Sequence, residues 1–407
     1  MSMITFNHQR RSFCLSIIFL FYVSFSILGC SASTDDGEIF EVKEGESIAI
    51  KLDHQTSPAE QYTQYIKDYN GKEVYAVHVK NRAAIKLYDL ASGELFEEIK
   101  IPTTGPDAIN SVGHFYIHNQ DSIFLNQGLL FKLVLVNRSM EKLDVYDLMP
   151  DDIDWDPNTY RTTSTDLASL TFDMKRDFVV INNSIKTQTI PYLYPLDPKM
   201  TNVEGLIISV DLASKSFYKF GDFPEEMKNK VWGGFLSLYF LRENSEKGES
   251  ILSFAASENI FVYNNSQKFN SIYYASSNKI KKISHYVKSD PVQEQEMDYY
   301  MNMPVYGGIY HDEKNGYFYR IAKYPNGDNY DPYKSDFLDP MANPRDFCII
   351  VLDKDYKKVT EFDIKQPKDG VYYDMCFANE NGLYIPYVDL NNEDVLYFKN
   401  FKVYDTK

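Results

Sequence analysis

Ile85–Ile99 reads IKLYDLASGELFEEI. Apolar and polar residues alternate up to Asp89, a short polar turn follows, and a second alternating run begins at Leu95. Side chains along a strand project to opposite faces in turn, so alternation on both sides of a turn spells a hairpin with one buried face. An Asp at the end of the first strand can accept from the main chain two residues on and so start the turn. The pattern recurs in LVLVNRSMEKLDVY turning at Asn137, IISVDLASKSFYKF at Asp211, IFVYNNSQKFNSIYY at Asn264 and IIVLDKDYKKVTEFDI at Asp353. These five polar residues are expected to be structural, not catalytic.

Two more strand-like runs precede each hairpin. They are Tyr62–Tyr69 and Val74–Val79, Gly113–His118 and Ser122–Asn126, Leu170–Met174 and Phe178–Asn182, Phe235–Leu241 and Ile251–Ala255, and Val305–His311 and Tyr317–Lys323. That makes five four-strand units. Only three strands follow, Val371–Phe377, Gly382–Val388 and Leu396–Tyr404. A ring of small sheets must close to hide its raw edges. Ser47–Leu52, paired beside Leu396–Tyr404, supplies the missing strand. The expected fold is all-β: a six-bladed β-propeller of four-stranded antiparallel blades, a single domain over 46–407 closed by an N-terminal strand. Seven blades, with irregular strands in Ser277–Met303, and a β-sandwich are the competing arrangements. About 60 residues per blade exceed the roughly 40–50 of compact propeller repeats. The excess is assigned to Met149–Thr165 and Pro325–Arg345. Short helices are expected near Glu225–Asn229 and Pro291–Tyr300.

Composition agrees with strands and restricts function. The 407 residues include 33 Tyr and 27 Phe, types that suit pleated surfaces. A net charge of -16 argues against a nucleic-acid binder, which needs a basic face. Cys348 and Cys376 lie in apolar strand-like runs and are expected to be buried free thiols.

The first residues read as an address. His8, Arg10 and Arg11 precede an apolar run from Phe13 to Leu28, then Gly29 and Cys30. This order describes a secretory signal, and the run falls short of the roughly 20 residues of a bilayer-spanning helix. Ile27–Cys30 resembles the lipobox of bacterial lipoproteins, whose cysteine is acylated after cleavage. Residues 1–29 are therefore expected to be a lipoprotein signal peptide, Cys30 the lipidation site (palmitate among the acyl chains), and 30–45 a flexible acidic tether. Ser31 after the cysteine and the following Asp35, Asp36 and Glu38 resemble outer-membrane sorting and surface-export signals. The implied address is the outer membrane, on the periplasmic side or the cell surface.

Gly113–Leu125 (GHFYIHNQDSIFL), Leu133–Ser139 (LVLVNRS) and Gly307–Ala322 (GGIYHDEKNGYFYRIA) look like an uncharacterised, domain-of-unknown-function family of Bacteroidota lipoproteins. More distantly the chain resembles six-bladed TolB-like propellers. The resemblance implies the propeller and carries no catalytic residue with it.

Motifs for chemistry are few. No GxxxxGK[ST], GxGxxG, HExxH, CxxC or GxSxG occurs. His114 and His118 share a strand face and lack an obvious third metal ligand. His311 and Asp312 end an innermost strand, where a propeller's channel opens, and are candidates for binding. Tyr324, Tyr330 and Tyr333 belong to an aromatic loop suited to stacking on sugars or peptide side chains. Asp152, Asp154, Asp156 and Asn158 stand at every second position, as at the start of a calcium loop, but Pro157 replaces the turn glycine. No cofactor is read from the sequence, with a divalent cation such as calcium the one alternative. The favoured function is a non-enzymatic, lipid-anchored module binding an envelope protein or a glycan. A divalent-cation-dependent hydrolase or lactonase-like enzyme and a TolB-like assembly component are the alternatives.

Overall fold

Ala91 donates its main-chain N–H to Asp89 Oδ1 at 3.0 Å, Ala213 to Asp211 Oδ1 at 3.0 Å, Ser266 to Asn264 Oδ1 at 3.0 Å and Asp355 to Asp353 Oδ1 at 2.8 Å. Asn137 Oδ1 accepts from Glu141 N at 3.0 Å. The five hairpin residues thus start their turns as their chemistry dictates. This is a computed structural model, and it describes residues 40–60, 62–149, 155–156, 161–162, 168–170, 179–181, 183–191, 196–264, 266, 268–287, 293–326, 345–364, 370–389 and 391–406.

Two strands open the chain, β1 (Phe40–Glu44) and β2 (Ile48–Lys51). Blade 1 is β3 (Thr63–Tyr69), β4 (Lys72–Val79), β5 (Ala84–Asp89) and β6 (Leu95–Lys100). Blade 2 is β7 (Phe115–Asn119), β8 (Ser122–Gln127), β9 (Lys132–Val136) and β10 (Lys142–Asp147). A two-residue ladder, β11 (Trp155–Asp156) with β12 (Arg161–Thr162), comes before blade 3. That blade is β13 (Ala168–Leu170), β14 (Val179–Ile181), β15 (Ser184–Pro191), β16 (Glu204–Asp211) and β17 (Phe217–Asp222). Blade 4 is β18 (Tyr239–Asn244), β19 (Glu249–Phe254), β20 (Asn259–Tyr263) and β21 (Phe269–Tyr274). Blade 5 is β22 (Val305–Asp312), β23 (Tyr317–Lys323), β24 (Phe347–Leu352) and β25 (Lys358–Ile364). Blade 6 is β26 (Gly370–Val371), β27 (Phe377–Asn379), β28 (Gly382–Asp389) and β29 (Asn392–Asp405), with β1 and β2 on its outer edge. The helices α1 (Gly233–Leu236) and α2 (Gln293–Asn302) lie outside the blades. The fold is the expected six-bladed propeller, not a seven-bladed ring or a sandwich.

The closing strand is where the sequence placed it. Ile48 stands opposite Phe398, Ala49 opposite Tyr397, Ile50 opposite Leu396 and Lys51 opposite Val395, antiparallel. Gly45 N donates to Asn400 O at 3.0 Å, and a side chain at Gly45 would collide with the Asn400 amide. Beyond that break β1 extends the same edge. Part of the stretch 30–45 expected as a tether is therefore strand, because β29 is long enough to pair with Phe40–Glu44 as well. Residues 30–39 lie outside the described residues. Gly93, in the blade 1 hairpin, has φ +73 and would put a Cβ into the Ala49 carbonyl oxygen, while Lys51 N donates to Gly93 O at 2.8 Å. Only glycine meets both demands. After β2 the chain crosses to blade 1, where the buried Lys86 ammonium bonds Asp53 at 2.5 Å and Thr56 at 3.1 Å.

Two expectations within blades need correction. The sequence pattern gives Leu170–Met174 and Phe178–Asn182 as successive strands, but β13 and β14 both pair with β15 and form two parts of one innermost strand. The second strand is β15, which sequence alternation does not reveal because its buried residues include Lys186, Thr187, Gln188 and Thr189. Likewise β26 and β27 divide the innermost strand expected over Val371–Phe377. Pro291–Tyr300 anticipates α2, whereas Glu225–Asn229 forms turns.

Hydrophobic packing runs around the ring as clusters between neighbouring blades. Ile85 and Ile117 join blades 1 and 2, Phe124 and Ile208 join 2 and 3, and Ile321 and Ile385 join 5 and 6. Ile50, Tyr75 and Phe398 join 6 to 1. Between blades 4 and 5 lies Arg320, fully buried and over the Tyr306 ring at 4.1 Å. Its guanidinium donates to Ser253 Oγ at 2.9 Å and to the carbonyls of Ala275 and Ser257 at 2.8 Å each, Phe254 and Glu258 at 3.2 Å each and Asn259 at 3.4 Å. Main-chain carbonyls and the Ser253 hydroxyl take its hydrogen bonds, and burial pushes its pKa down to about 10, opposed by the Tyr306 and Glu258 side chains. Cys348 and Cys376 are buried free thiols, as expected.

Arg320→Met should lower stability by about 3 kcal/mol or more, since it strands several buried carbonyls at once. Ile50→Ala should cost about 2–5 kcal/mol by opening a cavity behind the closing strand. Urea unfolding midpoints of the two variants check both values.

Candidate functional site

A cavity of about 360 Å³ lies at the centre of the ring, lined among the described residues by β3, β7 and the ends of β18, β22 and β27 with the turns that follow them. Side-chain bonds fix the spacing of its wall. The Gln64 amide donates to Ile117 O at 2.9 Å and accepts from Ile117 N at 2.8 Å, tying β3 to β7 as a main-chain pair would. Arg242 Nε donates to Ile309 O at 2.9 Å and ties β18 to β22. The register of β22 slips between Tyr306 and Ile309, across Gly307 and Gly308. A Cβ on Gly308 would sit 3.0 Å from Tyr310 Oη, so a side chain there would press the Tyr310 ring aside. Blade 1 meets blade 6 through stacked rings, Tyr65 on Phe377 at 4.7 Å and Phe377 on Tyr384 at 4.7 Å.

Several charges in the wall are engaged locally. Glu243 is 4% exposed, and Lys186 Nζ lies 3.0 Å from its Oε2 and 2.9 Å from Ser250 Oγ. Burial raises the Glu243 pKa, opposed by the Lys186 charge. Ser245 Oγ donates to Glu313 at 2.8 Å, and Lys314 pairs with Glu380 at 2.9 Å. The His311 ring lies flat on Phe318 at 4.0 Å. Burial, helped by the Arg242 charge, pushes its pKa down to about 4, so it is neutral at pH 7. His78, buried behind the wall with Nδ1 3.2 Å from Gly113 O, is likewise pushed down to about 4, chiefly by burial. Among the described residues no three His, Cys, Asp or Glu gather where one metal ion could be held.

Of the residues singled out from sequence, His311 lines the cavity, and so do His114 and His118. Asp312 does not. It is buried in the β22–β23 turn, where it accepts from Asn315 N at 3.0 Å and Asn315 Nδ2 at 2.6 Å. Tyr324 stands at the end of β23, its hydroxyl donating to Asp363 at 2.7 Å, away from the cavity lining. Tyr330 and Tyr333 lie outside the described residues, as do Asp152, Asp154 and Asn158. Asp156 pairs through its main chain with Arg161 in the β11–β12 ladder. Sequence reasoning missed Gln64, Arg242 and Glu243. Their one signal is polarity inside strand runs such as YFLREN (Tyr239–Asn244), where a charge has no solvent-facing reason to sit.

Comparison with known proteins fits this geometry. Residues 39–363 match the family model of DUF4221, a domain of unknown function. The chain belongs to the DUF4221 family. A crystal structure of a DUF4221 member from Bacteroides vulgatus is similar over 91% of this chain and 99% of its own, with 18% identity and a TM-score of 0.74. A putative exported protein from Bacteroides fragilis is similar over 92% and 98%, with 11% identity and a TM-score of 0.50. Virginiamycin B lyase from Staphylococcus aureus gives 89% and 99%, with 12% identity and a TM-score of 0.41. For the two Bacteroides proteins, identities this low show a shared fold alone. No curated protein matches the sequence.

The two depressed histidines give this DUF4221 propeller a pH signature. In the unfolded chain an imidazole takes up its proton near pH 6.5, whereas the folded state refuses it until about pH 4. Their contribution is therefore present above pH 6.5 and lost as pH falls through that window. The stability difference between wild type and His78→Gln should shrink by about 2 kcal/mol between pH 7 and pH 4.5. Urea titrations at both pH values check this, and a constant difference would mean that His78 titrates normally.

Proposed function

We propose that the chain is a lipid-anchored envelope or cell-surface β-propeller, a non-enzymatic binding module that holds a protein or glycan partner at the mouth of its central cavity. One observation carries the reading. The cavity of about 360 Å³ joins aromatic rings, Tyr65, Tyr116, Tyr310 and Phe377, to hydrogen-bonding groups on five blades. That volume falls in the range of ligand pockets, and rigid walls with a few directed polar groups favour recognition. The anchor rests on the order of charge, apolar run and Cys30 in the sequence. A divalent-cation hydrolase would need three or four ligating side chains converging on one ion. Of the wall carboxylates Glu243 is engaged with Lys186, Glu380 with Lys314 and Glu313 with Ser245, each with a different neighbour, which favours binding.

Cys30→Ala should move the protein from the membrane to the soluble fraction, read by fractionation, and retention on the membrane would contradict the anchor. For the mouth, the expected result of a thermal-shift screen with glycans, peptides and divalent ions is stabilisation by an organic ligand. Ser245→Trp, an exposed position in the lining, should abolish that shift. A large shift specific to one ion, with stoichiometric metal, would instead favour the enzyme.

A further inference from the structure

We infer that the ring lies against an anionic lipid surface through the segment Tyr274–Val287, so that the mouth of the cavity faces away from the bilayer. This adds a second, cationic contact to the reading of the chain as membrane-anchored, and it uses a surface separate from the mouth.

Charge along the sequence singles the segment out. Residues 259–289 hold no Asp or Glu and include Lys268, Lys279, Lys281, Lys282 and Lys288, in a chain whose net charge is -16. No other stretch of 46–407 runs as long without an acid. An anionic surface repels the rest of such a chain and attracts these lysines, each contributing about fivefold in partitioning when it reaches the headgroups.

The fold displays the segment at one end of blade 4. Strand registers put Tyr274 opposite Asn259, at the end marked by Tyr239 and Phe254. Asn244 and Glu249 mark the other end, where Ser245 lines the cavity. Beyond Tyr274 the chain is pinned by Ile280, Ile283 and Tyr286, all buried, and Tyr286 N donates to Val231 O at 2.8 Å. Lys281 and Lys282, between the two isoleucines, are exposed and form no ion pair among the described residues. Lys279 pairs with Asp363 of blade 5, and Glu361 accepts from Asn278 N at 3.0 Å and from Lys358 at 2.9 Å. These two acids beside the segment are therefore already held.

Apolar side chains flank the lysines. Tyr274 is 64% exposed and Val287 81%, the two highest values among the exposed large hydrophobic residues described. Aromatic and aliphatic groups beside lysines suit a membrane interface, where the apolar parts enter the headgroup layer and the ammonium groups meet phosphates. The acyl chain expected on Cys30 would hold the protein beside a bilayer and so raise the effective concentration of that surface, which favours lipid over a soluble acidic partner. Phe40 packs on Tyr317, at the mouth end of blade 5, with ring centroids 6.4 Å apart. From Cys30 to Phe40 the chain reaches up to about 33 Å when extended, more than the roughly 26 Å of an eight-residue strand. The anchor thus allows either end of the ring to meet the bilayer, and the lysines decide which.

The test is co-sedimentation of the unacylated chain from Ser31, which keeps every strand of the six blades, with vesicles of phosphatidylcholine alone or mixed with phosphatidylglycerol. Binding to the anionic vesicles should be tighter by about tenfold or more and should fall as salt is raised. Lys281→Gln with Lys282→Gln should weaken it by about tenfold or more, and Tyr274→Ser with Val287→Ser should weaken it as well. Lys67→Gln with Lys314→Gln, at the mouth, should leave it unchanged. All six side chains are exposed, so the variants are expected to fold, and melting curves check this. The inference is overturned if both kinds of vesicle bind alike or neither binds, or if the folded Lys281 and Lys282 double variant binds as wild type does. It is overturned equally if the mouth variant weakens binding, since the mouth would then face the bilayer. The anchor is read separately: fractionating Cys30→Ala cells at high salt suppresses the lysine contact, so retention there strikes the acylation alone and leaves the vesicle result standing.

Discussion

The hydrogen-bond ladder between β2 and β29 is the constraint on which the ring depends. A propeller with one blade left open would expose a raw strand edge and leave the last inter-blade cluster without its outer layer. Pairing Ile48–Lys51 with Val395–Phe398 joins residues more than 300 positions apart in the chain. Ile50 then packs with Tyr75 of blade 1 and Phe398 of blade 6, so the closing strand contributes apolar contact as well as main-chain bonds. Lys86, held to Asp53 and Thr56, secures the crossing to blade 1.

Closure alone would leave blades free to tilt on one another. Polar side chains that bond a neighbouring blade's main chain restrict this. Gln64 reaches from blade 1 to blade 2, Arg242 from 4 to 5, and Arg320 from 5 back to 4. Hydrophobic contacts tolerate sliding because they have no direction, whereas hydrogen bonds to carbonyls fix distance and angle. The same bonds hold the inner strands at the spacing that leaves a cavity, so the wall is shaped by groups whose first role is structural.

Sequence pattern alone recovered the hairpins, their turn acids and the closing strand, since each depends on neighbours in sequence or on the simple need to close an edge. It failed at β15, whose Lys, Thr and Gln residues are buried by contacts from other blades: Lys186 meets Glu243 and Thr189 donates to Gly205 O. His311 was legible because an innermost strand must end at the channel. Its neighbour Asp312 was not separable from it by sequence, because which of two adjacent residues faces the cavity depends on the bulge at Gly307–Gly308 and on the turn beyond.

Alternation of apolar and polar residues and the short-range chemistry of Asp and Asn turns determined most of the strands, the blade count and the partner of the first strand. These are local properties, or follow from counting strands around a closed ring. Tertiary structure alone decided which polar residues are buried and whose charges cancel. Glu243 comes to lie beside Lys186, 57 residues earlier in the chain, and Arg242 beside the main chain of Ile309, 67 residues later. Electrostatics and hydrogen bonding depend on distance in space, and that distance exists only once the blades have packed.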